Sequence, residues 1–90
     1  MMKTIKQWRV DVMLGEDEGQ TYAEARLVSD IGDQVVGVGR ARLSPRDLDI
    51  PEIGDEVAVA RALRDLGTRL LDAASNDIEG VTQEHVHLTH

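Results

Sequence analysis

Four kinds of residue in the chain have types and spacings that could do chemistry. His85-Val86-His87, with His90 beyond, places two imidazoles at i and i+2. In a strand these share a face and could hold a metal ion, with a carboxylate such as Glu84 or a partner chain completing the set. The ordinary reading of histidines at a chain end is a solvated tail, so the expectation is no metal, with His85, His87 and His90 as the weak candidates. Glu16-Asp17-Glu18 and Asp30 with Asp33 offer oxygens to a hard cation but lack EF-hand spacing and its closing Glu, and read as solvated turns. Gly37-Val38-Gly39 starts like a dinucleotide fingerprint. Residue 42 is Arg where a third glycine is needed, and no helix follows at once. Close packing against a helix explains those glycines better. Ser29, Ser44 and Ser75 sit in no nucleophile-elbow context. Without cysteine, thiolate chemistry is absent. The chain is therefore expected to be no enzyme and to need no cofactor.

Arg9, Arg26, Arg40 and Arg42 form the remaining constellation. All four fall on the same side of their alternating segments, so they could meet phosphates of RNA. The competing reading pairs them with Asp11 and Glu24 on that side. Neither an aromatic stacking pair of the RRM type nor a KH-type G-x-x-G is present. The net charge is −7, which argues against a general binder of nucleic acid or anionic membrane. That charge is uneven. Residues 1–48 carry seven Lys and Arg against eight Asp and Glu; residues 49–90 carry three against nine.

The elements that must position these groups follow from two periodicities. Between Thr4 and Leu43 apolar residues alternate, the mark of half-buried strands. Strands are expected at about 4–14, 21–29 and 34–43, with turns at Gly15–Gly19 and Asp30–Asp33. Loops of four to six residues make them an antiparallel meander. Residues 44–50 read as a connector. Asp49 and Glu52 have capping-box spacing before a helix at about 51–75. Its expected apolar stripe is Val59, Leu63, Leu66, Leu70 and Ala73–Ala74, and Gly67 inside the helix suggests a close neighbour. Residues 76–90 read as a tail whose end could form a short edge strand.

Ala23, Ala25, Gly37, Gly39 and Ala41 share one sheet face, so the helix is expected on this small-residue face with its alanines inward, and Leu14, Leu27, Leu43, Leu63 and Leu70 around the periphery. The result is a single α+β domain over 1–90. One helix covers one face only, and an open edge strand invites pairing, so a homodimer through the edge or the bare face is expected. No apolar run spans a membrane, and the first residues carry no secretory pattern. A cytoplasmic chain is the expectation.

Several stretches resemble one specific family. They are Val36, Val38 and Gly39 with Ala41-Arg42-Leu43; Ile50-Pro51-Glu52-Ile53-Gly54-Asp55-Glu56; and Ala60-Arg61-Ala62-Leu63-Arg64-Asp65-Leu66. Trp8, Val10, Asp11, Glu18-Gly19, Ala23, Ala25-Arg26-Leu27 and Asp77-Ile78-Glu79 extend the likeness over about 7–82. Together they resemble a small actinobacterial family of unknown function with members in the mycobacterial dormancy regulon. The resemblance implies a dsRBD-like unit lacking its first helix. It also implies a homodimer similar in shape to ribosome hibernation-promoting factors. A stress-associated dimer that binds the ribosome or rRNA through Arg9, Arg26, Arg40 and Arg42, helped by Lys3 and Lys6, is thus the leading expectation. The alternative is a protein–protein adaptor whose acidic helix face (Asp55, Glu56, Asp65, Asp72) meets a basic partner.

Overall fold

The computed structural model describes residues 4–29, 34–42 and 51–82. It contains β1 (Arg9–Asp17), β2 (Gln20–Val28), β3 (Val36–Arg42) and α1 (Pro51–Thr82). The strands form one antiparallel sheet in the order β1-β2-β3, the expected meander, with α1 across one face.

The first turn is tighter than the expected Gly15–Gly19 loop. β1 continues through Gly15, Glu16 and Asp17, which pair with Tyr22, Thr21 and Gln20. Only Glu18 and Gly19 turn the chain, with φ of 48° and 76°. Two successive positive φ values match the right-handed twist of the strands they join, as in type I′ hairpins. At the other end β1 starts at Arg9, not Thr4, because β2 ends opposite it at Val28 and offers earlier residues no partner. β3 is likewise shorter than expected. Leu27 N–H donating to the Val35 carbonyl at 2.9 Å prolongs its pairing by one rung.

α1 starts at Pro51, where a missing N–H costs nothing. Its proposed cap, Asp49, lies outside the described residues. The helix passes the expected end at Ser75 and includes Asn76–Thr82, so the assignment of those residues to a tail was wrong. No proline interrupts that stretch. Ser75 turns its hydroxyl back to the Leu71 carbonyl at 3.1 Å instead of breaking the helix. At 1.5 Å per residue α1 is about 48 Å long, against about 30 Å for a nine-residue strand. The helix therefore outruns the sheet.

The core is small: Ala23, Ala25, Leu27, Ala41, Ala58, Ala62 and Leu66, with Val35, Val59 and Leu70 partly buried against it. The row facing the sheet is Gly54, Ala58, Ala62 and Leu66, so Ala58 and Ala62 lie inward as expected, while Val59 and Leu63 of the apolar stripe stand to one side. The sheet glycines explain this orientation. A Cβ on Gly37 would collide with the backbone of Ala62 and Leu66, and one on Gly39 with Ala58, Arg61 and Ala62. Only a helix face of alanines approaches that closely. Leu63 is accordingly 43% exposed and Leu14 49%. Among the described residues no close neighbour stands at Gly67. The tight fit belongs to the sheet glycines, not the helical one.

Candidate functional site

The four arginines lie, as expected, on the sheet face away from α1, and all are exposed. They do not form one cationic patch. Arg9 Nε donates to Asp11 Oδ1 at 2.9 Å, and Arg26 Nη2 to Glu24 Oε1 at 3.0 Å. Arg40 holds its guanidinium 5.7 Å from the centre of the Tyr22 ring, within cation–π range. Arg42, opposite Gln20, makes no ion pair among the described residues. The rung Met13–Glu24–Val38 separates Arg9 and Arg26 from Arg40 and Arg42. Two of four charges are thus neutralised in place, and the other two stand at the far end of the sheet.

The two outer edges of the sheet differ. In an antiparallel pair the N–H and C=O of one residue point to the same side, alternating along the strand. The Leu27–Val35 bond directs Leu27, Ala25 and Ala23 toward β3, so Gly37 and Gly39 face β2 while Val38 and Arg40 point outward. α1 meets both outward groups. Val38 N–H donates to Asp65 Oδ2 at 2.9 Å, and Arg61 Nη1 donates to the Arg40 carbonyl at 2.6 Å. Arg69 Nε, one turn on, holds the same Asp65 oxygen at 3.0 Å. The Val38 amide foremost, then Arg69, keeps the Asp65 carboxyl below the usual carboxylate range; partial burial opposes them. Asp65 was expected on an acidic docking face; it is instead committed to the fold. Arg61, Asp65 and Arg69 at successive i+4 positions were the one sequence signal for this column.

The same alternation directs Val10, Val12 and Leu14 of β1 outward at the other edge. Their backbone groups meet no partner among the described residues. α1 rests on β2 and β3 and scarcely reaches β1. The side chains of Val10, Val12 and Leu14, cross-strand from Leu27, Ala25 and Ala23, stay exposed on the helix side. With Ala62 facing the sheet, Asp65 and Arg61 turn toward β3, which puts Val59 and Leu63 on the opposite flank, above β1. There Asp55, Glu56, Val59, Ala60 and Leu63 line an open hollow of about 390 Å³, apolar within and acidic at its rim.

The other candidate chemistry does not gather. His85, His87, His90 and Glu84 lie outside the described residues, as do Lys3, Asp30 and Asp33. Glu16 and Asp17 are successive strand residues directed to opposite faces. No group of three metal-ligating side chains occurs among the described residues, and no helix there is long and apolar enough to cross a membrane. Gly37-Val38-Gly39 serves helix packing, as read.

Comparison with known proteins agrees with this architecture. The Rv2632c-like family model matches residues 6–87. The uncharacterized protein Mb1767 of Mycobacterium bovis is 50% identical over 84 residues, spanning 93% of this chain and 88% of its own. The uncharacterized protein Rv2632c of Mycobacterium tuberculosis is 48% identical over 81 residues, spanning 90% and 86%. The crystal structure of Rv2632c superposes with a TM-score of 0.81 at 45% identity, covering 93% of this chain and 99% of that one. A match of sequence and fold over nearly the entire chain establishes that it belongs to the Rv2632c-like family.

Proposed function

We propose that this chain is a non-catalytic, cytoplasmic interaction module that takes a basic protein segment along the β1-facing flank of α1. One observation carries the reading: an apolar hollow walled by Val59, Ala60 and Leu63, rimmed by Asp55 and Glu56, beside the bare side chains of β1. Apolar walls supply affinity, and an acidic rim selects cationic partners. The acidic half of the sequence adds long-range attraction of the same sign. Among the described residues the one carboxylate with a clearly displaced pKa, Asp65, is occupied in holding α1 to β3.

The test is capture of partners from nuclease-treated stressed-cell lysate by the native chain and by the double variant Asp55→Lys with Glu56→Lys. The expected result is a basic protein that is retained by the native chain, lost with the variant and released by salt. Recovery that is indifferent to the two substitutions refutes the groove.

A second reading rests on Arg40 and Arg42. An arginine held against a tyrosine ring, with Arg42, which makes no ion pair among the described residues, nearby, offers a small cationic end to an RNA backbone. On this reading the chain is a stress- or dormancy-associated, hibernation-type ribosome binder, in which Arg9 and Arg26 contribute less because of their ion pairs. Ribosome co-sedimentation at about 50 mM salt, where phosphate contacts are strongest, distinguishes it. Pelleting abolished by Arg40→Glu with Arg42→Glu favours this reading; no pelleting ends it.

A further inference from the structure

β1 ends among acids that lack a counter-ion. Asp11, Glu24 and Asp65 each hold an arginine, whereas Glu16, Asp17, Asp55 and Glu56 make no ion pair among the described residues. These four gather at one end of the sheet. A Cβ on Gly54 would stand 3.0 Å from the Thr21 hydroxyl, and Glu16 faces Thr21 across the hairpin, so the start of α1 sits over that rung. Toward the other end of β1 the same helix-side row turns apolar, with Leu14, Val12 and Val10 exposed. The backbone N–H and C=O of this row point away from β2 and meet no partner among the described residues. An edge of this kind, with neither proline nor lysine to protect it, is a template for one more strand. We propose that the basic segment adds to β1 as a fourth, antiparallel strand and carries two cations followed by alternate apolar residues, an inference that rests on the basic-partner reading.

The pattern follows from strand pairing. Directly opposed residues project to the same face. Segment residues opposite Val10, Val12, Leu14 and Glu16 therefore join the helix side. Apolar side chains at the first three positions extend the exposed row beside the Val59–Leu63 flank, and a cation opposite Glu16 lies next to Asp55 and Glu56. The neighbouring segment residue falls opposite Asp17 and projects to the other face. A second cation suits it. Residues opposite Met13 and Asp11 also face away from α1, where Asp11 already holds Arg9, so neutral polar residues serve there. β1 runs toward the acids, so an antiparallel segment begins at them and its cations come first. A parallel segment would carry its cations last, and its slanted bonds are slightly less stable per residue. Main-chain bonds along the edge supply affinity, and the alternate side chains select the sequence.

Dye-labelled peptides and the full chain test this by fluorescence anisotropy. The parent peptide is Lys-Lys-Thr-Val-Ser-Val-Thr-Val. A second carries N-methyl groups on its first two valines, which keeps the side chains and removes the N–H groups opposed to Leu14 and Val12. A third has the parent sequence reversed. The expected result is that the chain binds the parent at least about tenfold more tightly than the N-methylated peptide, the loss expected for one or two net hydrogen bonds. The reversed peptide binds more weakly than the parent. Glu16→Lys on the chain weakens the parent by about threefold or more, most at low salt. Bound parent slows amide exchange at Val12 and Leu14 and leaves Val38 unchanged. Equal binding of parent and N-methylated peptides overturns strand addition; if Asp55→Lys with Glu56→Lys abolishes both, the basic-segment reading survives. Binding that falls on N-methylation yet ignores Glu16→Lys and the Asp55→Lys, Glu56→Lys pair overturns the cationic pattern, and that reading with it. Tighter binding of the reversed peptide overturns the direction. Failure of the parent to bind also overturns the proposal, and the lysate capture then judges the basic-segment reading by itself. So does a native chain already paired with a second copy through β1, its Val12 amide protected before any peptide is added.

Discussion

The β3 edge and the β1 edge belong to the same sheet, and both strands alternate small or apolar residues with charged ones. One edge is closed by the chain itself. Asp65 takes the Val38 amide, Arg61 gives to the Arg40 carbonyl, and Gly37 and Gly39 let the helix backbone descend far enough for both. The other edge has larger residues, Val10, Val12 and Leu14, facing the helix side, yet they remain outside the core. Apolar character alone did not decide which strand was covered. The helix settled where it could come closest, because dispersion and exclusion of water both favour the tightest approach. In this chain that meant alanine on glycine.

The largest expected effect breaks the closed side. Gly39→Val forces atoms into the backbone of Ala58 and Ala62, so α1 must lift from β3. A loss of roughly 3 kcal/mol or more is expected, as for severe overpacking, read as a large fall in Tm. The equivalent Gly67→Ala, on a helical glycine with open space around it, should stabilise by up to about 1 kcal/mol. Next is Asp65→Ala, which leaves the Val38 amide without its acceptor and should lower Tm by less than Gly39→Val does. Amide hydrogen exchange at Val38 should accelerate with it, while Val12 exchange is unchanged.

The pH dependence sharpens the same contrast. The folded Asp65 carboxyl binds its proton less readily than the unfolded one. Its contribution to stability is therefore present above the unfolded pKa, about 3.9 for an ordinary Asp, and is lost as pH falls through the lower folded value. Asp65→Asn should flatten that acid limb in pH-dependent unfolding. The smallest effect belongs to the open side. Arg9→Ala removes an exposed ion pair with Asp11 and should change stability by less than about 1 kcal/mol in urea unfolding.

Much of this was legible in the residues. Alternation located three strands and their order, and the pattern Ala23, Ala25, Gly37, Gly39, Ala41 located the helix side. Pairing of Arg9 with Asp11 and of Arg26 with Glu24 was visible as the plainer alternative to a cationic patch, and both pairs form two residues apart along one strand. The inward alanines Ala58 and Ala62 and the peripheral Leu63 were legible from the small residues of the sheet face, where the glycines reward small volume over apolar bulk. The helix end was misread because Asn76–Gly80 carries weak helix formers, and a helix of about nine turns propagates through such residues once nucleated. Asp65 looked like a surface acid, since a side chain meeting a strand edge 27 residues away leaves no local trace.

The order of chemical types along this chain set its strands, its long helix, the face on which they meet and the sign of its charge, since each depends on neighbours two to four positions apart. Which edge was sealed, which leucines stayed wet and which arginines paired with a neighbouring acid were decided only in the folded chain. Those outcomes depend on a close approach measured in tenths of an ångström between Gly37 and Gly39 and the backbone of α1, and no pattern of residue types carries that distance.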